Sequence, residues 1–202
     1  VEPLLAEIHN EVESLRDAAQ GVAGTVRITA TDTDARRYVW PRVKSLLQHY
    51  PKIRIELIND YGLTDIVANR FDLGIRLGDQ VARDMVAARI APDLSMTVVG
   101  TPEYLRTHPE IQKPQDLLQH NCISLRLPTM NSLLPWELKK GRRQHQLHVN
   151  GQLIFNNVYQ ILDAALEGFG LAYLPEELVK EHVAHGQLCW ILPEWFPVYT
   201  GL

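Results

Sequence analysis

Four polar residues in a row, Thr31, Asp32, Thr33 and Asp34, come directly after a short stretch that alternates like a strand. In open α/β sheets, ligands bind beyond the carboxyl ends of the strands, where the next helix begins. The free N–H groups of such a helix favour an anion, typically a carboxylate, whereas Asp32 and Asp34 oppose one. The residues therefore predict either a loop that contacts a polar, carboxylate or zwitterionic ligand, or simple capping of the helix.

Two arginines and an aromatic–amide pair occupy comparable places further along the chain. Arg76 and Arg126 each come at the end of a short apolar stretch. A guanidinium in such a place needs a partner, which is either a structural carboxylate or the carboxylate of a ligand. Phe155 and Asn156 come directly before another helix, so Asn156 is either a helix cap or a ligand contact.

Several motifs that suggest catalysis or metal binding have simpler explanations. Two histidine pairs with i, i+3 spacing lack a third ligand, so we predict no metal site: His145 with His148, and His182 with His185. Gly168 and Gly170 follow a helix and precede a strand, the reverse of a dinucleotide-binding fingerprint, so Gly168 is interpreted as a helix cap. No nucleophile–base arrangement is present, and we predict neither an enzyme nor a cofactor.

Composition narrows the class of protein. The chain has 202 residues, 46% hydrophobic and 22% charged, with a formal net charge of −4. A domain that grips the phosphate backbone is normally basic, so this part is not expected to bind nucleic acid itself. Cys122 and Cys189 lie in apolar stretches and are interpreted as inert core thiols in a reducing cytoplasm. No apolar run predicts a membrane span, no signal peptide is visible, and the first residue, Val1, suggests a fragment or a processed chain.

The pattern along the first half predicts strands and helices in alternation. Thr25–Ala30 is a strand, and the helix after it carries Val39, Trp40, Val43, Leu46 and Leu47 on one side, with Pro41 near its start or at a bend. Next come strand Ile53–Ile58, a helix over Leu63–Arg70 and strand Phe71–Leu77, which together predict a parallel βαβ unit. Met85–Ala91 and Leu94–Gly100 are interpreted as further strands.

Alternation continues through the second half. The predicted elements are helices starting at Pro102 and Pro114, strand Cys122–Leu127, a hairpin with a basic turn over residues 136–149, strand Gln152–Phe155, helix Val158–Leu166, strand Gly170–Leu174, helix Pro175–His185 and strand Leu188–Leu192. No closing element is predicted for residues 197–202. The fold class is therefore α/β, and the break near residues 92–100 suggests two lobes.

The first residues predict an amphipathic helix with a heptad-like seam. Apolar side chains recur in steps of four and three from Leu4 to Ala19, and Gly21 ends the pattern. The helix either packs on its own domain or pairs with a second chain as a coiled-coil linker.

Taken in order, a set of short motifs resembles the effector-binding domain of LysR-type transcriptional regulators. Those motifs are Tyr50-Pro51 ahead of strand Ile53–Ile58, Asp72-Leu73-Gly74-Ile75-Arg76, residues 86–91 followed by residues 100–105, Pro114-x-Asp116-Leu117, His120-x-Cys122-Ile123, Asn150-Gly151-x-Leu153, Asn156-Asn157 and residues 168–175. The resemblance covers nearly all of the chain from Gly24. It implies two Rossmann-like lobes of a type II periplasmic-binding-protein-like fold, with an effector held in the cleft between them.

On this resemblance, residues 1–20 are the end of a linker helix, 21–93 lobe I, 94–196 lobe II, and 197–202 the start of a return to lobe I. The family places a Ser or Thr that contacts the effector at the position of Thr31. The further candidate effector contacts are Asp32, Thr33, Arg76, Arg126, Phe155 and Asn156. The expected effector is a small carboxylate or an amino-acid-like metabolite.

The implied partners follow from the same resemblance. Self-association as a dimer or tetramer is expected to use the helix Val39–Tyr50 and strand Ile53–Ile58 against the partner's helix Val158–Leu166. DNA would be bound only through an N-terminal winged helix-turn-helix that this sequence does not contain. The alternative from another functional class is a solute-binding protein that serves a transporter, which shares the fold.

Overall fold

A computed structural model of the protein describes residues 21–62, 66, 68–77, 86, 88–127 and 132–201. The predicted helix of residues 1–20 lies outside the described residues. The chain packs as two compact units: unit 1 holds the described residues up to 60 and within 64–75, and unit 2 holds those within 61–63 and from 76 onward. Within these ranges no helix is long and apolar enough to cross a membrane.

Unit 1 is built on a parallel sheet with its first strand in the centre. β1 (Gly24–Ala30) pairs along its whole length with β2 (Ile53–Asn59), and on its other side Ile28 and Thr29 pair with β3 (Leu73–Gly74). The order is β2-β1-β3. Both strands of the predicted βαβ unit lie in this parallel sheet, but β1 separates them, and the third strand is shorter than the predicted Phe71–Leu77.

The helix after β1, named α1, spans residues 32–49 in three parts: Asp32–Asp34, a π-helical turn over Ala35–Val39, and Trp40–His49. Within the π turn, the N–H of Trp40 donates to the carbonyl of Ala35, five residues back. Pro41 lies in the first turn of the last part and has no N–H to donate. Pro41 thus lies near the start of this part of the helix, which is one of the two places predicted for it, and the wider π turn precedes it.

One side of α1 covers the sheet of unit 1. Val39 and Val43 are buried against Ile28 and Ala30. The predicted apolar side was too wide, because Trp40 and Leu46 were placed on it and are 53% and 38% exposed.

Arg27 on β1 forms hydrogen bonds to β2 and to the segment ahead of β3. Its Nε donates to Glu56 Oε2 at 2.8 Å and its Nη2 to Glu56 Oε1 at 3.3 Å, across paired positions of β1 and β2. Its Nη1 donates to the carbonyl of Asn69 at 2.8 Å, and its backbone N–H to Asp72 Oδ2 at 2.8 Å. These bonds hold the segment that leads into β3 against β1.

Two predictions in the connecting region were wrong where the structure describes it. Residues 66 and 68–70 of the predicted helix Leu63–Arg70 lie in turns. Residues 86 and 88–91 of the predicted strand Met85–Ala91 are not in a strand, and Val86 is fully exposed. An alternating pattern favours a strand only where a neighbouring strand supplies hydrogen bonds, which the local sequence does not reveal.

Unit 2 contains a mixed sheet. Its strands are β4 (Leu94–Gly100), β5 (Cys122–Leu127), β6 (Ser132–Leu133), β9 (Ile154–Phe155), β10 (Leu171–Pro175), β11 (Cys189–Ile191) and β12 (Val198–Tyr199). They lie in the order β11-β4-β10-β5-β6, and β12 also pairs with β4 and β9 with β5. The hairpin is β7 (Trp136–Lys140) with β8 (Arg143–Leu147). The helices are α2 (Pro102–Thr107), α3 (Val158–Leu166), α4 (Glu176–Ala184) and the 3₁₀ helices Pro114–Gln119 and Pro193–Trp195.

Alternate residues of the unit 2 strands feed two separate apolar clusters. Val98, Cys122 and Tyr173 belong to the cluster that also contains the hairpin residue Trp136. Their chain neighbours Val99, Ile123 and Leu174 belong to the cluster under α3 and α4. Successive side chains of a strand point to opposite faces, so a sheet buried on both faces needs apolar residues at every position.

The end of the described chain corrects one prediction. No closing element was predicted for residues 197–202, yet Val198–Tyr199 pairs antiparallel with the start of β4. The Tyr199 hydroxyl donates to Glu137 Oε2 at 2.8 Å, and the N–H of Gly201 donates to Asp93 Oδ1 at 3.0 Å. A strand of two residues carries too little pattern to be recognised without its partner strand.

Gly168 ends α3 as predicted. Its φ of 80° is in the left-handed region, which favours glycine. The N–H of Gly168 donates to the carbonyl of Ala165, and the N–H of Phe169 donates to the carbonyl of Ala164. This pair of bonds is the Schellman motif of a helix C-terminus.

Candidate functional site

Thr31 caps α1 and forms a closed hydrogen-bond pattern with the residues that follow it. Its Oγ1 accepts from the N–H of Asp34 at 3.2 Å and donates to Asp34 Oδ2 at 2.7 Å. Thr33 Oγ1 lies 3.0 Å from the same hydroxyl, and the N–H of Thr33 donates to Asp32 Oδ1 at 2.8 Å. The capping interpretation of this loop is therefore confirmed, while its contact with an effector stays a prediction.

The two acidic residues of the loop are buried rather than solvated. Asp32 is 6% exposed and Asp34 is 9% exposed. Their carboxylates place negative charge beside the Thr31 hydroxyl at the carboxyl end of β1.

Arg76 had been predicted at the end of a strand. In the structure it lies two residues beyond β3 and in no strand. It is half-buried, and its Nε donates to the carbonyl of Gly62 at 3.2 Å. A backbone carbonyl therefore supplies one partner of this guanidinium. The prediction that Arg76 contacts the effector is left untested.

Arg126, Phe155 and Asn156 come together in unit 2. With Ile154 they line an open pocket of about 270 Å³. The pocket forms because β5 and β9 run parallel and side by side, with Leu125 opposite Phe155. The sequence placed these residues at separate strand ends, and the strand pairing makes them neighbours.

The Arg126 side chain is half-buried in this pocket and is not neutralised there. Its guanidinium has no hydrogen-bond or ion-pair partner among the described residues. A partly buried guanidinium without a carboxylate is costly in free energy, and it offers planar donors that match a carboxylate.

Asn157, and not Asn156, caps helix α3. Asn157 Oδ1 accepts from the N–H of Tyr159 at 2.9 Å and from the N–H of Gln160 at 3.3 Å. Asn156 is exposed and lines the pocket. The capping role that the sequence left open for Asn156 therefore belongs to Asn157, and the contact of Asn156 with a ligand stays a prediction.

Sequence reasoning missed Asn121, which joins three segments of unit 2. Its Oδ1 accepts from the N–H of Gln152 at 2.8 Å, its Nδ2 donates to the carbonyl of Phe169, and its N–H donates to the Tyr104 hydroxyl at 3.0 Å. Gly151 packs so tightly on Cys122 that a Cβ there would overlap the backbone. The only sequence signal was a polar residue before an apolar strand, which is too common to single out.

The two cysteines differ in their burial. Cys122 is fully buried, and desolvation raises the pKa of its thiol to about 12, so the predicted inert core thiol is confirmed. Cys189 is half-buried, so it is not a core residue. Within the described ranges no three side chains of the types that bind metals gather in one place.

Comparison with known proteins identifies the family. The family model of the LysR substrate binding domain matches residues 19–201. A putative transcriptional regulator of Pseudomonas aeruginosa is 43% identical over 195 residues, which are 96% of this chain and 64% of that protein. The HTH-type transcriptional regulator PgrR of Escherichia coli is 38% identical over 199 residues, 98% of this chain and 67% of that one. The chain thus spans about two thirds of the length of these relatives.

A solved structure supports the fold. The regulatory domain of AphB from Vibrio vulnificus has a TM-score of 0.73 and 24% identity, and the match covers 88% of this chain and 91% of that one. The predicted α/β class and periplasmic-binding-protein-like fold are thereby confirmed. The chain therefore belongs to the LysR substrate binding domain family.

Proposed function

We propose that this domain senses a small amino-acid-like metabolite and, with it, controls DNA binding by a helix-turn-helix domain outside this chain. The observation that carries the proposal is the Arg126 guanidinium, half-buried in a pocket with Phe155 and Asn156 and without a carboxylate partner among the described residues. A ligand carboxylate would accept two parallel hydrogen bonds from this guanidinium. Phe155 would cover apolar atoms, and the Asn156 amide would bond a polar substituent.

The acidic loop of unit 1, residues 31–34, suggests the second charged group of the effector. Asp32 and Asp34 are buried beside the Thr31 hydroxyl, and they favour a ligand group with donors, such as an ammonium. An amino-acid-like effector carries both an ammonium and a carboxylate. The family resemblance is what suggests that the Thr31 loop and Arg126 both contact an effector.

Self-association is the other part of the proposed function. The outer side of α1 exposes Trp40 and Leu46, and β2, an edge strand, exposes Ile58. Exposed basic residues flank these apolar side chains: Arg36, Arg37, Arg42 and Lys44. The outer side of α3 exposes Asp163 and Glu167, which have the opposite charge. The proposed contact between α1–β2 of one subunit and α3 of another is therefore complementary in charge.

The cellular setting follows from the family. A transcriptional regulator acts on DNA in the cytoplasm, and no membrane partner is proposed. The alternative of a solute-binding protein for a transporter gains no support from the relatives, which are named as transcriptional regulators rather than as transport proteins or enzymes.

Calorimetry with a panel of amino acids and small carboxylates tests the effector proposal. The protein is compared with Arg126→Gln and with a matched control, Arg142→Gln, in the exposed turn of the hairpin of the same unit. A compound that binds the parent should bind Arg126→Gln about 10- to 100-fold more weakly, because one charge-assisted contact is lost. Equal affinity for the parent and Arg126→Gln would reject the pocket as the effector site.

A further inference from the structure

His120 occupies an unusual place at the end of the Pro114–Gln119 helix. The residue is 6% exposed, and its Nε2 is covered and has no hydrogen-bond partner among the described groups. Its Nδ1 lies 3.4 Å from the Tyr104 hydroxyl. That hydroxyl accepts the N–H of Asn121, so its own proton is available for Nδ1, and the ring is then neutral with its proton on Nε2.

Protonation of the His120 ring in its buried position would be unfavourable in free energy. Charge on a buried imidazole loses hydration, and the Nε2–H finds no acceptor among the described groups. Donation from Nδ1 would also compete with the proton of Tyr104. Desolvation accordingly lowers the pKa of His120, and His108 adds to the effect, while Asp116 opposes it.

An alternative place for the charged ring lies beside it. His120 borders an open pocket of about 230 Å³ whose wall includes the carboxylates of Glu110 and Asp116. Asp116 accepts the N–H groups of Gln112 and Lys113, each at 3.0 Å, and these bonds lower its pKa, so it is still ionised when a histidine takes up a proton. The ionisable groups around the ring are Tyr104, His108, Glu110, Lys113, Asp116 and Cys122.

The geometry points to a proton-operated latch: neutral His120 stays buried against Tyr104, and the protonated ring rotates into the neighbouring pocket to pair with Asp116 and Glu110. Among the surrounding groups Lys113 carries a positive charge at neutral pH, and its flexible stem can carry that charge away from the ring. His108, whose ring stacks on Tyr104 with centroids 3.8 Å apart, also lowers the pKa of the buried His120 ring.

Movement of the His120 ring would also affect Asn121 and the segments that Asn121 joins. Tyr104 would lose the acceptor of its hydroxyl proton, and its bond from the N–H of Asn121 would loosen. The Asn121 side chain holds Gln152, two residues before β9. Acid would therefore loosen the strand that carries Phe155, and this last consequence rests on the function proposed above.

NMR on the whole chain between pH 7.5 and 5.0 tests the latch without any effector. The His120 ring should titrate below the ordinary histidine value of about 6.5, and the backbone amide signals of Asn121 and Gln152 should move with the same midpoint. In His120→Gln these two amides should stay still over the range. The matched control His185→Gln, at the exposed end of α4, should keep the transition.

Glu110→Gln gives an independent readout if His120→Gln fails to fold. Loss of one receiving carboxylate should shift the shared midpoint to lower pH and leave the spectrum at pH 7.5 unchanged. The latch is overturned if Asn121 and Gln152 titrate equally in His120→Gln. It is also overturned if they stay still in the parent, or if Glu110→Gln leaves the midpoint where it was.

Discussion

Thr31 and Asp34 are joined by two hydrogen bonds of opposite direction: the hydroxyl donates to the Asp34 carboxylate at 2.7 Å and accepts from the Asp34 N–H at 3.2 Å. The side chain that the family assigns to effector contact is thus already engaged in the cap of α1. An effector that takes the Thr31 proton would have to replace Asp34 as the acceptor. The predicted contact of Thr31 with an effector would therefore link ligand binding to the first turn of the helix.

Replacing Thr31 by valine, which keeps the shape and removes the hydroxyl, should lower the free energy of unfolding by about 1 kcal/mol, the usual effect of losing an N-cap. Thr31→Ser keeps the hydroxyl and should stay within a few tenths of a kcal/mol of the parent. Urea unfolding measures both variants. A Thr31→Val protein as stable as Thr31→Ser would show that the cap contributes nothing.

Substitutions of the adjacent Asn156 and Asn157 should have different effects, one on ligand affinity and the other on stability. Asn157→Ala removes the cap of α3 and should destabilise the protein by about 1 kcal/mol, whereas Asn156→Ala should leave stability unchanged. For any compound found to bind, Asn156→Ala should weaken affinity. Thermal unfolding with and without that compound measures both effects, and a destabilised Asn156→Ala variant would contradict the assignment.

The two cysteines should differ in reactivity. With a pKa of about 12, the Cys122 thiol is ionised at pH 8 in on the order of one molecule in ten thousand, and its side chain is fully covered. Cys189 is half-buried and should react first with a thiol reagent. Mass spectrometry should find one label on the native protein and two after denaturation. Cys189→Ser should leave the native protein unlabelled, and rapid labelling of that variant would contradict the burial of Cys122.

Self-association should depend on the exposed side of α1. Trp40→Glu places a charge on the proposed contact, where Trp40 is 53% exposed, and should shift the protein from dimer to monomer in sedimentation velocity. Val198→Glu, at an exposed residue of unit 2, is the matched control and should leave the distribution unchanged. A parent protein that remains monomeric at high concentration would reject the proposed pairing surface.

Much of the fold was readable from local pattern. Helix α3 was predicted with its observed bounds, Val158–Leu166, because its apolar residues repeat with the helical period and Gly168 can adopt the left-handed conformation that ends it. Strands β4 and β5 were also predicted with their observed bounds, since a mostly apolar run between turn residues is typical of a strand buried on both faces. Each of these signals lies within the element itself.

The sequence by itself thus determined the α/β class, most of the elements of unit 2 and the residue types available for binding. The tertiary structure alone decided which of them meet. Pairing of β5 with β9 brought Arg126 to Phe155 and Asn156, whereas residues 86 and 88–91 pair with no strand among the described residues. The reason is physical: secondary structure follows the period of nearby side chains, whereas a pocket depends on contacts between residues far apart in the chain, which local pattern does not encode.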